Sequence, residues 1–298
     1  MKHPLVLQTL KPGLVAGLLL IAFAAAADTA RAAAGNCDRE CLRGFVTRYL
    51  DALIAHNPGA LPVAGSVKFT EDSAQMKLGD GLWKSASGFR TYRQDVLDVR
   101  QGVAGSQVVI EEGGSPVLLE LRLKVVDQKI TEVETMTVRN QKEGVLFNVA
   151  GLQTAAKTMA VVPDRSQIPT RQEAIKIAEF YPAGLKVGSF VSVDAPFASN
   201  AYRMENGVTT AGPGCSRAGC ENIKTQTIIK HPGITHRLAA VDEELGIVLL
   251  RMDFGETSSY GPGNALIAWE AFKIYGGQIH AVEAFMRYMP SSAGSGWD

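Results

Sequence analysis

Alternation of apolar and polar residues predicts two β-hairpins of the same kind in this chain. In residues 269–285, apolar positions recur at every second residue on both sides of Gly276-Gly277. This dipeptide supplies the positive φ angles that a two-residue type I′ turn needs. Residues 121–134 show the same alternation and align with the other hairpin without a gap, so that Lys124 matches Lys273. The chain therefore contains this unit twice.

A two-residue turn fixes which residues of a hairpin face each other. Counted outward from Gly276-Gly277, Ile274 opposes Ile279 and Glu270 opposes Glu283. Two carboxylates held this close on a buried surface are unfavourable when both are ionised, so one of them is expected to keep a proton. In the first hairpin, a leucine stands where the second has Glu270. The second hairpin is therefore the one expected to carry chemistry.

The rest of the pattern predicts a helix at the start of each half. Apolar residues recur at helical spacing from about Asp38 to His56, and Asn57-Pro58-Gly59 ends that helix. In the second half, Thr170 followed three residues later by Glu173 forms a capping box for a helix that starts at Arg171. Strand-like patterns follow both helices. A helix, a short strand and then long strands indicate an α+β fold in each half.

These patterns divide the chain into five segments. Lys2 is followed by an apolar run and by small residues up to Ala34, as in a secretory signal peptide. The segments are a signal peptide over 1–34, a first domain over 35–140, a linker over 141–168, a second domain over 169–290 and a tail over 291–298. The apolar run is too short and too rich in alanine for a good bilayer span. We therefore expect a secreted or periplasmic protein that has no membrane contact after cleavage.

Charge and cysteine content narrow the partners and the compartment. Of 298 residues, 30 are basic and 30 are acidic, so no nucleic-acid partner is implied. Cys37/Cys41 and Cys215/Cys220 are close pairs, which in an exported protein are most simply disulfides. A four-cysteine zinc site is the alternative, but neither pair has the Cys-x-x-Cys spacing usual for structural zinc. The expectation is two disulfides and no metal.

Four short motifs resemble a known protein family. They are Gly-Leu-Trp at 81–83, Arg-Met-Glu-Asn-Gly at 203–207, Val-Asp-Glu-Glu-Leu-Gly at 241–246 and Glu-Ala-Phe-Lys-Ile at 270–274. Each half resembles a SnoaL-like domain of the nuclear transport factor 2-like superfamily, and the mature chain resembles a secreted tandem-domain family of unknown function. The resemblance implies two cones, each a curved antiparallel sheet wrapped around N-terminal helices. It also implies a pocket with acid–base groups and no cofactor, and it is compatible with a homodimer.

The candidate catalytic residues lie in the second half. Glu283 and Glu270 are expected to share a proton, one acting as acid and the other as base. His236, on a strand-like run, is a candidate base because a neutral imidazole near a carboxylate accepts protons, although a lone strand histidine is more often structural. Arg203, close to Glu205, is a candidate for stabilising negative charge. The alternative for Arg203 and Glu205 is a structural role, in which their ion pair holds a turn.

Five further residues are candidates for binding substrate: Trp269, Phe272, Tyr202, Asn206 and Trp83. Aromatic residues at strand spacing are more often part of the core, which is the alternative for most of this set. The sequence has no glycine-rich phosphate loop followed by a helix, no His-Glu-x-x-His and no Gly-x-Ser-x-Gly. Nucleotide-dependent, zinc-protease and esterase chemistry are therefore not indicated.

The sequence thus predicts a secreted, cofactor-independent enzyme for a small, largely apolar and aromatic substrate. The predicted reaction is an elimination, hydrolysis or isomerisation driven by proton transfer. Lignin-type aryl ethers are a candidate substrate class because of the superfamily's repertoire and the predicted export. The alternative is a non-catalytic extracytoplasmic binding module for a small hydrophobic ligand.

Overall fold

The computed structural model describes Met1 and residues 37–297, and it contains two halves with the same order of elements. Apart from Met1, the predicted signal peptide lies outside the described residues. The first half contains α1 (Arg39–Ile54), β1 (Val63–Glu71), β2 (Ala74–Gln75), β3 (Ala86–Asp98), β4 (Val103–Glu112), β5 (Ser115–Val126) and β6 (Lys129–Val138). Two short helices follow, α2 (Gln141–Gly144) and α3 (Leu152–Met159). The second half contains α4 (Arg171–Val187), β7 (Phe197–Glu205), β8 (Val208–Ala211), β9 (Thr235–Asp242), β10 (Ile247–Glu256), β11 (Asn264–Tyr275) and β12 (Gln278–Pro290).

Each half has one six-stranded sheet, and the two sheets have the same topology. The strand orders are β2-β1-β6-β5-β4-β3 and β8-β7-β12-β11-β10-β9. The pairs β1–β6 and β7–β12 are parallel, and all other neighbouring strands are antiparallel. The sheets are therefore mixed rather than antiparallel throughout. A tight turn between two strands forces them to pair antiparallel. The first and last strands of each half are far apart in the chain and have no such turn between them, so they can pair parallel.

A helix packs on one face of each sheet, which confirms the predicted α+β class. Helix α1 begins after Asp38, whose side chain accepts a backbone hydrogen bond of 2.9 Å. Helix α4 begins with the predicted capping box of Thr170 and Glu173. Tyr49 of α1 and Tyr181 of α4 are both fully buried against their own sheets. The two halves thus use their helices in the same way.

Both long hairpins contain a β-bulge at the same place, and this overturns the predicted register. Near the turn Ile274 pairs with Ile279, but Lys273 then pairs with Ala281, so His280 is an extra residue. Thr131 is the extra residue in the first half. As a result, the next pairs are displaced by one residue from those that the turn predicts.

The bulge places the two candidate carboxylates on opposite faces of the second sheet. Glu270 pairs with Ala284, and Glu283 pairs with Ala271. The prediction that Glu270 and Glu283 oppose each other is therefore wrong. Next to the bulge, the N–H of Ile279 donates to a proline carbonyl of the segment before β7 at 2.8 Å.

The second half is longer than the first mainly because of the segment between β8 and β9. This segment, residues 212–234, contains the Cys215–Cys220 disulfide. A smaller insertion separates β10 from β11. Both predicted disulfides are present, and the other joins Cys37 to Cys41. The larger insertion brings new side chains to the helix-covered face of the second sheet.

The two sheets pack against each other through the faces that their helices leave uncovered. One hydrophobic cluster contains side chains from both halves, including Val109 and Leu118 from the first and Leu249 and Phe285 from the second. Each sheet is consequently buried on both faces. Residues on either face of a central strand are therefore withdrawn from water.

Two buried aspartates make equivalent contacts across the junction of the halves. Asp242 accepts hydrogen bonds from the backbone N–H of Leu97 at 3.1 Å and from Arg39 at 2.7 Å. Asp98 accepts them from the N–H of Val241 at 2.9 Å and from Arg171 at 2.6 Å. Each arginine is the first residue of the helix in the opposite half from its aspartate. The junction is therefore pseudo-symmetric.

The linker and the tail also join the halves. The side chain of Asn206 donates to the carbonyl of Gly144 in α2 at 2.9 Å. In the tail, Trp297 donates from Nε1 to the hydroxyl of Thr70 at 2.8 Å, and the ammonium of Lys68 lies 4.3 Å from its ring centroid. These contacts attach segments outside both predicted domains to the sheets.

We predict that breaking either crossed ion pair destabilises the protein strongly. Arg39→Gln or Arg171→Gln leaves a carboxylate that is at most 1% exposed without its cation, which should cost about 3 kcal/mol. The matched control is Arg43→Gln, because that side chain is 42% exposed and its pairing should contribute less than about 1 kcal/mol. Urea unfolding would measure the difference, and equal losses for Arg39→Gln and Arg43→Gln would contradict it.

Candidate functional site

A cavity of about 300 Å³ lies on the helix-covered side of the second sheet. Its apolar wall comes from α4, the linker and the long strands, and consists of Val145, Leu146, Leu185, Phe254, Leu266 and Met286. Its polar wall consists of Tyr181, Arg203, Glu205, Thr210, Gln226, His231 and Tyr260, with Arg217 also lining it. A concave, mostly apolar space with a few converging polar groups is the usual form of a small-molecule site.

Arg203 on β7 is the centre of the polar wall. Its guanidinium forms an ion pair with Glu205 at 3.0 Å and donates to the hydroxyl of Thr210 at 2.9 Å. It also donates to Tyr181 at 3.2 Å and to the side-chain oxygen of Gln226 at 3.4 Å. Only 8% of Arg203 is exposed, so this cation is held in place by protein acceptors.

Glu270 on β11 lies behind the polar wall and does not line the cavity. It is 1% exposed, and the Tyr181 hydroxyl donates a hydrogen bond to it. Burial raises the pKa of Glu270 to about 8, with a further increase from the charge of Glu205 and a decrease from Arg203. At neutral pH this carboxyl is therefore protonated, while Arg203 and Glu205 balance each other in charge.

The first half has apolar residues at the positions of Arg203 and Glu270, whereas at the position of Glu205 it has another glutamate, the buried Glu71. The strand register places Phe69 where the second half has Arg203, and Leu121 where it has Glu270. Phe69 and Leu121 are at most 1% exposed and belong to the hydrophobic core of the first half. In that core Tyr49, the counterpart of Tyr181, accepts a hydrogen bond from the indole of a tryptophan. The same fold thus forms with or without the charged group.

Glu283 lies on the opposite face of the sheet, between the two halves. The Tyr202 hydroxyl donates to it at 2.6 Å, and Tyr92 from the first half is also near. Burial raises the pKa of Glu283 to about 7, while its hydrogen bonds lower it. Both candidate glutamates thus have raised pKa values, but the cause is burial of each one separately and not the predicted repulsion between them.

Three of the five predicted catalytic residues are brought together, and two lie elsewhere. Arg203, Glu205 and Glu270 form one connected group beside the cavity. Glu283 is at the junction of the halves. His236 is exposed on β9, at the edge of the sheet, and does not line the cavity.

The five predicted substrate-binding residues are all outside the cavity lining. Trp269 and Tyr202 belong to the junction between the sheets, and Trp83 to the core of the first half. Phe272 lies next to Tyr181 in the core of the second half, with 5.1 Å between ring centroids. Asn206 is fully buried and bonds to the main chain of the linker and of β12.

Several residues of the polar wall have no signal in the sequence pattern. Gln226 and His231 come from the segment between β8 and β9, which has neither helical nor strand periodicity. His231 is 3% exposed, and burial lowers its pKa to about 4, so its imidazole is neutral at physiological pH. The sequence indicates Tyr181 only as the counterpart of Tyr49, which lies 132 residues earlier in the chain. Residues of an irregular insertion can be assigned to the site only in three dimensions.

Two features are absent from the described part of the chain. Within it, no group of three or more His, Cys, Asp or Glu side chains is arranged to hold a metal ion. None of its helices is long and apolar enough to cross a bilayer. The residues that surround the cavity are suited to hydrogen bonding and proton transfer.

Comparison with known proteins gives a family match in the second half. Residues 167–286 match a family described as a domain of unknown function, DUF8021. No curated protein matches the chain. An NTF2-like protein of unknown function from Cytophaga hutchinsonii has 12% identity and a TM-score of 0.27, over 33% of this chain and 89% of its own. Another, from Shewanella baltica, has 17% identity and a TM-score of 0.29, over 40% of this chain and 94% of its own.

We predict that Glu283→Gln stabilises the protein at neutral pH. Because the folded-state pKa of Glu283 is about 7 and lies above the unfolded value, the wild-type protein loses stability as pH rises from about 4.5 to 7. Glutamine has the shape of the protonated acid without this cost, so the gain should reach up to about 3 kcal/mol at pH 7. Unfolding in urea at pH 4 and pH 7 measures it, and a gain that does not grow with pH would contradict it.

Proposed function

We propose that the second half binds a small, largely apolar molecule in its cavity and acts on it by proton transfer, without a resident cofactor. One observation carries this proposal. At two equivalent positions, the second half buries Arg203 and Glu270 beside an open cavity, whereas the first half has Phe69 and Leu121 in its core. Burying ionisable side chains at these two positions costs free energy that the first half avoids there, although it buries Glu71 at the position of Glu205, and this cost favours a functional role.

The chemistry follows from the different ionisation of the two glutamates. Glu205 is paired with Arg203 at the cavity surface and acts as the proton acceptor. Arg203 stabilises the negative charge that develops on an oxygen of the substrate when the proton leaves. Glu270, which is protonated at neutral pH, keeps the whole group without net charge and holds Tyr181 in place. Groups with separated pKa values can divide acid and base roles in this way.

The proposal extends to the type of protein and its location. We propose a tandem SnoaL-like architecture, which the repeated topology supports. An extracytoplasmic location is supported by the two disulfides. In an elimination or an isomerisation Glu205 would take a proton from the substrate, and in a hydrolysis it would take one from the attacking water. Lignin-type aryl ethers are the first substrates to screen. A homodimer stays an expectation from the resemblance.

A binding module without turnover is the second candidate, and one observation favours it. The guanidinium of Arg203 already donates to Thr210, Tyr181 and Gln226 and is paired with Glu205. A cation satisfied by the protein in this way can shape a pocket without taking part in a reaction. The two candidates differ in the expected effect of Glu205→Gln. An enzyme loses about 100-fold or more in rate and keeps its affinity, whereas a binding module has no rate to lose.

The test of the site is to give the second half the residues of the first. Arg203→Phe combined with Glu270→Leu should fold, because the first half packs these residues in the same positions, and it should abolish ligand binding. Ligand-observed NMR with small aromatic compounds would detect binding. The matched control is Glu283→Gln, which changes a glutamate of similar burial on the other face of the sheet. Unchanged binding by the double variant would refute the proposed site.

A pH profile gives a further prediction. Above about pH 8 Glu270 loses its proton, so the polar group gains one negative charge and should disfavour negative charge on the bound molecule. Affinity for a phenolate or a carboxylate, and any turnover, should therefore fall as pH rises through 8. Glu270→Gln should remove this decline and leave the profile flat there. A decline of equal size in the variant would exclude Glu270 as its cause.

A further inference from the structure

We infer that the ligand of this cavity is a carboxylate, and that its anionic group is bound at the cavity mouth by Arg217 and Gln226. The inference rests on the proposed function and names the class of molecule. It also gives a role to the Cys215–Cys220 loop, which positions Arg217.

Arg217 is the cation that the protein leaves available at this site. It lines the cavity and is exposed, and the only hydrogen bond described for its guanidinium is a 3.4 Å contact to the carbonyl of Thr210. No carboxylate lies within 4.0 Å of its guanidinium among the residues that the structure describes. Arg203, by contrast, is paired with Glu205. A planar guanidinium without a partner is well suited to a bidentate contact with a carboxylate.

Gln226 supplies a second donor. It is 8% exposed, and its side-chain oxygen accepts a hydrogen bond from Arg203. This contact identifies which end of the side-chain amide is the oxygen and which is the nitrogen, Nε2. Nε2 is buried and has no hydrogen-bond partner in the described structure. A buried donor without a partner costs roughly 1–3 kcal/mol, and an acceptor on a ligand would remove that cost.

Thr210 connects the two donors. Its hydroxyl accepts a hydrogen bond from Arg203, and Arg203 donates another to Gln226. The carbonyl of Thr210 accepts a hydrogen bond from Arg217. Arg217 and Gln226 are thus attached to the same short chain of contacts along one wall of the cavity. With Arg203 and Glu205 balanced and Glu270 protonated, Arg217 gives the cavity a net positive charge near pH 7. Charge complementarity therefore favours an anion with an apolar body.

The disulfide holds this arrangement in place. Arg217 lies inside the loop closed by Cys215 and Cys220, and Cys220 is 4% exposed. The carbonyl of Cys220 accepts from the N–H of Gly212 at 2.7 Å, so the loop is also fastened to the end of β8. The loop belongs to the insertion that lengthens the second half. Closing a short loop removes much of its conformational freedom, which pre-organises Arg217 at the cavity mouth.

The probes for this inference are 2-naphthoate and its neutral isostere 2-naphthamide, with affinities measured by isothermal titration calorimetry on the mature protein. We expect the wild-type protein to bind 2-naphthoate about 10-fold more tightly than 2-naphthamide. Arg217→Gln should remove most of this difference and leave the amide affinity unchanged. Arg217→Lys keeps the charge and should retain part of it. Arg48→Gln, an exposed arginine on α1, is the matched control and should change neither affinity.

The role of the disulfide is tested by a double-mutant cycle. Replacing Cys215 and Cys220 by serine should lower the affinity for 2-naphthoate about as much as Arg217→Gln, and the combined variant should lose little more. Additive losses, or an equal loss of 2-naphthamide affinity, would refute the positioning role of the loop. If the wild-type protein binds the two probes with equal affinity and Arg217→Gln changes neither affinity, the inference that the ligand is a carboxylate is refuted. The proposed function is not refuted by that result. If neither probe binds, both are refuted.

Discussion

The crossed contacts of Asp98 and Asp242 are the constraint on which the arrangement of the halves depends. Each carboxylate is buried and receives a main-chain N–H and an arginine from the opposite half. Neither half alone could satisfy its own aspartate in this way. An unpaired buried carboxylate is costly enough to exclude other relative positions of the sheets. Once the sheets meet in this way, both faces of every central strand are buried. An acidic residue on such a strand is therefore withdrawn from water whichever way it points.

The face on which a buried acid lies then decides its role. Glu270 and Glu283 both have pKa values raised by burial, yet one is next to the cavity and the other is between the sheets. A single extra residue in the hairpin, His280, separates them, because a shift of one residue moves a side chain to the other face. The first hairpin has the same bulge at Thr131, so the bulge belongs to the repeated architecture and not to the site.

The sequence was informative where local interactions decide the structure. Capping by Thr170, the Gly276-Gly277 turn, the disulfide pairs and the repeated unit all depend on residues close together in the chain. The bulge could not be predicted, because the alternation of apolar and polar residues around Gly276-Gly277 is also that of a regular hairpin without an extra residue. The sequence indicates Arg203 and Glu205 because they are only two residues apart. It does not indicate Gln226, because only tertiary packing brings an irregular insertion to the cavity.

Comparison of the halves separates what the fold requires from what the site requires. Phe69 and Leu121 in the first half show that these two positions can be filled by a well-packed apolar core. At the same positions Arg203 and Glu270 replace that packing with a cation and a protonated carboxyl, which need their own hydrogen bonds. The fold gains nothing from this exchange, since the first half forms without it. This difference between the halves is the observation on which the proposed ligand site rests, and the first half buries the outer face of the second sheet.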